Sequence, residues 1–251
     1  MDNVTKVHEE TYLTSNVKIS LGVTPNLRGN FISSATRIAQ EQEHYLKFEL
    51  VSAESSARLV EKLRLHKINC AVVSDTDLIE DAASYKITKL FEDQIAWVVP
   101  NAVSNQDIRD AIQSGKVPRD KNPVLRRYVD VAQQMFTKHG ARDWFSINLP
   151  ESVASFSTPS FVAAVDLVAA GLATSTVALS LVPNLSSSVL RKVKFFEIEG
   201  TRINAVLADR KHLMSRSSYA HFHKQLVEYC RDAYWPTMKN LKMEKFSLFR
   251  N

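Results

Sequence analysis

The chain has 251 residues, of which 45% are apolar and 24% charged, with a formal net charge of +5 at pH 7. That length suffices for one large domain or two small ones with real cores, and no apolar run approaches the roughly 18–20 residues of a membrane span. Six glycines are few for this length and argue against phosphate-cradling loops; the positive charge, spread over Arg126-Arg127, Arg191-Lys192, Lys194 and Lys239 to Lys245, reads as a solvated surface before it reads as a nucleic-acid face.

The leader MDNVTKVHEETYLTSN lacks the basic-then-apolar order of a secretory signal, so a cytoplasmic location is expected. Residues 17–23 alternate as a strand, with Ile19, Leu21 and Val23 on one face. Thr24-Pro25-Asn26 follows, and a helix over 26–43 is expected from Phe31, Ala35, Ile38 and Ala39 at three- and four-residue spacing. YLKFELV (45–51) alternates again, and Ser52 then stands where a cap would open a second helix carrying Leu59, Val60 and Leu63. INCAVVS (68–74) is a short continuous apolar run, as in a strand covered on both faces. This β-α-β-α-β order predicts a parallel sheet flanked by helices.

KLFEDQIAWVVP (89–100) reads as one strand stopped by Pro100, after which the pattern restarts. A helix over 105–114, a turn at 120–123, a helix over 124–139 and a strand WFSINL (144–149) are expected in turn. Thr158-Pro159-Ser160 then repeats the cap-and-proline signature before the helix SFVAAVDLVAAG, closed by Gly171. TVALSLVP (176–183), 193–198 and 203–208 read as strands, and the last helix covers 215–235. Two α/β halves result, with the second inserted after Pro100.

Neither cysteine belongs to a metal motif. Cys70 lies in an apolar run where a buried thiol is the ordinary expectation, and Cys230 is distant in sequence. His221 and His223 are two apart on a helix and point away from each other. No nucleophile elbow, P-loop or dinucleotide fingerprint is present. The sequence therefore offers no cofactor, no metal and no selected catalytic residue.

The ordered series of these runs resembles the effector-binding domain of LysR-type transcriptional regulators. VKISLGVTPNLRGNFISSATRIAQEQEHYLKFELV is similar to that family's opening strand, helix and strand. SARLVEKLRLHKINCAVVS resembles its helix-then-strand signature, and LFEDQIAWVVPNAVS its crossover between lobes. FVAAVDLVAAGLATSTVALSLVPNL and SYAHFHKQLVEYCRDAYW resemble its later helix–strand unit and its last helix. Residues 17–235 are covered. The departures are His66-Lys67 in place of a glycine turn, Asn69 in place of an aspartate, and Ala173 with Thr174-Ser175-Thr176 where glycines are usual.

The resemblance implies an α/β fold of two Rossmann-like lobes with a ligand cleft between them, like type 2 periplasmic binding proteins. The expected divisions are a leader or linker remnant (1–16), lobe one (17–99), lobe two (100–202), a return to lobe one (203–235) and a basic tail (236–251). It also implies a small-molecule effector, a homodimer using the helices at 26–43 and 124–139, and DNA contact only through an N-terminal winged helix-turn-helix that precedes the equivalent of Val17 in the family. A stand-alone solute binder or regulator antagonist is the alternative, and an enzyme on the same fold the third reading.

Ligands of open α/β sheets sit beyond the carboxyl ends of strands. That rule selects Thr24, Pro25 and Asn26 after the first strand, and Ser74 and Asp75 after the third. It also selects Asn101 after the crossover, with Thr158 and Ser160 opening a helix in the second half. Each Thr or Ser here is equally explained as a helix cap. Asp75 weighs against a simple anion as effector.

Overall fold

The structure, a computed structural model, describes residues 16–25, 27, 29–78, 82–117, 122–131, 141–239 and 244–245, the last pair and 141–143 by backbone alone. In chain order the elements are β1 (Val17–Val23), α1 (Asn30–Gln40), β2 (Tyr45–Ser52), α2 (Ser56–Arg64), β3 (Cys70–Ser74), β4 (Tyr85–Asp93) and β5 (Ile95–Pro100). Next come α3 (Asn105–Ser114), β6 (Arg127–Val131), α4 (Ala141–Asn148), β7 (Val153–Thr158), α5 (Phe161–Ala169), β8 (Ser175–Ala178), α6 (Ser187–Leu190) and β9 (Val193–Glu197). β10 (Ile203–Arg210), α7 (Ser217–Tyr229), α8 (Trp235–Lys239) and β11 (Glu244–Lys245) complete the series. Two units form: one holds the chain through Thr24, Gly29–Phe91 and Asn204–Trp235, the other Pro25–Arg28, Glu92–Ile203 and the chain from Pro236 on.

The first unit is built on a five-stranded sheet of order β2-β1-β3-β10-β4. β1 pairs in parallel with β2 and β3, and β10 runs antiparallel to β3. Ile19, Leu21 and Val23 are buried on one face of β1, and Ser20 is buried too, so helices cover both faces. Gly22 faces Leu59 of α2 and Ile68 beyond its end. A Cβ there would lie 2.6 Å from Ile68 Cδ1 and 3.0 Å from Leu59 Cδ2. Leu59, Val60, Leu63, Ile68, Val73 and Val206 form the core beneath α2. On the other face α7 is anchored by Tyr219, whose hydroxyl donates to the Lys18 carbonyl at 2.9 Å.

The family departures have physical roles. Asn69 Oδ1 accepts from the Ser20 N–H and hydroxyl, both at 2.8 Å, joining β1 to the start of β3 with an uncharged acceptor. His66 follows α2 in the left-handed region, φ 58°, where glycine is the relaxed choice. The Lys67 N–H reaches back to Lys62 O at 2.9 Å and the His66 N–H to Leu63 O at 3.0 Å, closing the helix as a Schellman turn.

The second unit carries a four-stranded sheet, β11-β9-β5-β8, and the pair β6-β7. The Tyr128–Thr174 bridge links the two, parallel. β5 is antiparallel to both β8 and β9. Trp97, Phe196, Phe145, Ile108 and Leu149 fill its core, with Trp97 and Trp144 rings 5.1 Å apart.

Several expected elements differ. α1 begins at Asn30 after Gly29 (φ 49°), so Thr24-Pro25 ends a strand and opens no helix; Leu27 is buried between them. The cap of α2 is Ser55, not Ser52, because β2 runs on to pair Ser52 with Val23. The run 89–100 divides at Gln94 into strands of two different sheets. Residues 127–131 are a strand rather than helix, while 144–149 fall largely in α4, where Phe145 and Leu149 bury one face at i, i+4. The helix expected over 124–139 as a dimer element is therefore absent at 127–131, and 132–140 lie outside the described residues, as do 120–121 of the expected turn. β7 was not expected at all, since its residues are mostly exposed. β8 stops at Ala178 and a 3-10 turn with Pro183 takes over. The last helix runs from Ser217 through a π turn at Cys230–Tyr234 into α8.

Candidate functional site

In the first unit, parallel pairing puts the ends of β1, β2 and β3 on one edge of the sheet. Thr24 follows β1 there and is buried, one residue after the Val23 carbonyl that accepts the Ala53 N–H at 3.3 Å. Pro25 is exposed, and Asn26 lies outside the described residues. Ser74 ends β3; its N–H donates to Ser56 Oγ at 3.1 Å, and its hydroxyl is 2.8 Å from Thr76 Oγ1. Asp75 Oδ2 accepts from Asn204 Nδ2 at 2.7 Å, since β10 begins beside the end of β3. The structure thus brings Ser74 and Asp75 onto the edge where β1 also ends, and adds Ser56, Thr76 and Asn204, none of which sequence spacing singled out. Ser56 and Thr76 are close in sequence to expected positions; Asn204 is 129 residues from Asp75 and only the fold joins them.

In the second unit β7 ends at Thr158. Thr158 Oγ1 accepts the Ser160 N–H at 3.2 Å, and Ser160 Oγ accepts the Ala163 N–H at 3.4 Å as the cap of α5. Both residues are half-buried. Each hydroxyl keeps its own O–H, so the turn is a cap that still has donors to offer. Asp93 lies at the same edge of this unit, where β5 begins opposite the end of β8. It is buried and accepts the Gln94 and Ser180 N–H groups at 2.8 and 3.0 Å. Burial pushes its carboxyl up, against hydrogen bonds from Ser180, Gln94 and Leu179 that pull it down.

Asn101 is at the other edge. Because β5 runs antiparallel to β8 and β9, its end at Pro100 lies beside the start of β9, away from the end of β7. The Asn101 N–H is bound to Lys192 O at 2.7 Å and its amide reaches Arg191 O at 3.4 Å, a turn contact. The second unit does not bring Asn101 together with Thr158 and Ser160, because the direction of β5 sets its end at the far edge.

Two buried features need placing. Burial raises the Cys70 thiol well above its ordinary value, with Asp209 adding to the effect, and raises Cys230 to about 12, so neither is a reactive thiolate at neutral pH. His223 Nδ1 is 2.6 Å from Asp209 Oδ2 and its Nε2 is 2.9 Å from Thr88 Oγ1. Both ring nitrogens are committed and the side chain is 5% exposed, so the trio ties β10, β4 and α7 together. Among the described residues, no three His, Cys, Asp or Glu side chains group as metal ligands, and no helix is long and apolar enough to cross a membrane.

The strand order, with β10 joining the parallel β2-β1-β3 in the opposite direction and β5 running against both β8 and β9, is that of a two-lobed α/β protein of the type 2 periplasmic-binding-protein class. That fold is the one found in the effector-binding domains of LysR-type regulators. The chain is similar to the effector-binding domain of QuiR in complex with shikimate, at 14% identity and a TM-score of 0.58 over 87% of this chain and 99% of that one. A mutant OxyR of Corynebacterium glutamicum matches at 12% identity and TM-score 0.61, over 96% and 77% of the two chains. The C-terminal domains of a LysR family protein from Agrobacterium tumefaciens match at 17% and 0.58, over 87% and 98%. No family model and no curated protein matches the sequence.

Proposed function

We propose that this chain is the ligand-sensing regulatory domain of a LysR-type regulator, and that it binds a small organic effector rather than transforming one. The observation that carries the reading is the chemistry of the turns after the parallel strands: Thr24, Ser74 and Asp75 in the first unit, Thr158 and Ser160 in the second. Each unit places hydroxyl groups where strands of its sheet end. Either set can hold hydrogen-bonding groups of such an effector. Asp75, shared with Asn204, favours an effector that brings hydroxyl or amide groups over a bare anion.

Such an effector acts only through different affinities for two arrangements of the protein. Within the reading, the domain is cytoplasmic, pairs as a homodimer, takes no cofactor or metal, and meets DNA through an N-terminal module. Thermal-shift screening of the chain against small hydroxy acids, aromatics and amino acids tests it. At least one compound raises the melting temperature saturably without being consumed. Thr158→Val then weakens that compound by about three- to tenfold, the worth of one hydrogen bond. An affinity unchanged in both Thr24→Val and Thr158→Val removes the site, and turnover of the compound removes the sensor reading.

A further inference from the structure

The sheet of the first unit ends on β2, which has β1 on one side and, among the described residues, no strand on the other. An open strand edge is a template for another chain, and proteins ordinarily blunt it. The residues of β2, YLKFELVS, are all exposed or half-buried. Leu46 is 57% exposed and Leu50 37%, with Phe48 half-buried between them. Just past the strand the Ala53 N–H donates inward to Val23 O, so by strand alternation Phe48 and Leu50 turn their own backbone groups outward. The Phe48 N–H fits this: its acceptor is no strand carbonyl but the hydroxyl of Tyr45, at 3.0 Å.

Charge decides what can pair along this edge. Lys47 and Glu49 flank Phe48 in the strand and share one face of the sheet. Lys47 is exposed; Glu49 is half-buried and holds Lys18 at 2.7 Å through Oε2. Consider two copies of β2 laid antiparallel with their outward groups paired, so that the register moves only in steps of two residues. A step to one side sets Lys47 against Lys47, and a step to the other sets Glu49 against Glu49. Only the register centred on Phe48 sets Lys47 against Glu49, and the two-fold axis repeats that pair. The same register places Leu46 opposite Leu50 of the second copy. A lysine alone on an edge discourages strand addition; followed by this glutamate, it admits the chain's own β2 in a single register.

We infer that β2 is a homodimerisation edge, onto which a second copy of this chain adds its β2 antiparallel, centred on Phe48, so that the two five-stranded sheets become continuous. Pairing exchanges the Tyr45 hydroxyl for the Phe48 carbonyl of the second copy, and no N–H is stranded. A contact this small belongs to the weak, reversible class. It goes beyond the effector reading and stands or falls without it.

Sedimentation equilibrium of the whole chain over a concentration series tests this. The parent shifts from monomer to dimer as concentration rises. Lys47→Glu alone and Glu49→Lys alone each weaken the dimer about tenfold, since both copies of the pair become like charges. Mixed one to one, the two variants recover the parental affinity as a heterodimer, because each carries the charge that the other lacks. That recovery also shows that both variants are folded. The double variant Lys47→Glu/Glu49→Lys pairs with itself as the parent does. A chain that stays monomeric at every concentration overturns the inference. So does a dimer that either single variant leaves intact, which assigns pairing to another face, or a mixture that stays as weak as its components.

Discussion

The two edges of the five-stranded sheet differ in kind. At the carboxyl edge, Thr24, Ser56, Ser74 and Thr76 supply neutral hydroxyls, and Asp75 is shared with Asn204. At the amino edge, Arg64, His66, Arg210, Lys211 and His212 line a shallow depression. The same strands run between them, so the contrast arises from which residues follow each strand and which precede it. A sheet of this kind can present hydrogen-bonding specificity at one end and charge at the other without either interfering with the core.

What keeps the ends apart is the buried frame between them, and it is where substitution has the largest effect. His223→Ala leaves the Asp209 carboxylate buried without its partner and unties α7 from β4 and β10; the expected loss is about 3 kcal/mol, measured by urea denaturation. Should the loss fall below about 1 kcal/mol, the trio is not the frame. Gly22→Ala comes next. The new methyl meets Ile68 and Leu59 across the tight contact with α2, costing about 1–3 kcal/mol and displacing the helix whose Ser56 holds the carboxyl edge. A variant as stable as the parent shows that α2 has room to move.

A smaller effect is expected at the other end of the strands. Asn69→Ala strands the buried Ser20 N–H and hydroxyl and costs about 1–2 kcal/mol, whereas Asn69→Asp restores the acceptor. If Asn69→Asp is as damaging as Asn69→Ala, acceptor geometry is not what Asn69 supplies. The smallest effect is a pH dependence. Burial raises the Asp209 carboxyl above its ordinary value and His223 opposes the shift. The native chain then holds a proton that the unfolded chain has released, so stability falls as pH rises from about 4 through that window. His223→Gln removes the opposing charge and extends the fall to higher pH. Urea midpoints from pH 4 to 7 show a gap between parent and variant that widens with pH; a constant gap contradicts the assignment.

The legible part of this molecule was the part whose chemistry repeats locally. β1 matches its alternation from Val17 to Val23, and α3 covers Asn105–Ser114, the span expected of it. The turn Thr158-Pro159-Ser160 also stands where its cap signature put it, before α5. What escaped needs the third dimension. β7 is an exposed strand whose side chains carry no burial pattern, and WFSINL is a short apolar run that serves helix or strand equally. That Asn101 stands at the other edge from Thr158 and Ser160 was not legible, because nothing local tells the direction of β5. At the site, Ser74 and Asp75 were legible as strand-end residues, but their partners Ser56 and Asn204 come from other elements. The depression at the amino edge was invisible because its residues are spread from 64 to 212.

The contrast between the edges is tested most directly by calorimetry with the effector found by screening. The parent chain, Thr158→Val and the basic double variant Lys211→Gln/His212→Gln are compared under one buffer. A Kd raised about three- to tenfold in Thr158→Val and unchanged in the double variant is the expected result. A Kd that is unchanged in Thr158→Val, or that rises only in the double variant, contradicts a sensor site at the strand-end turns.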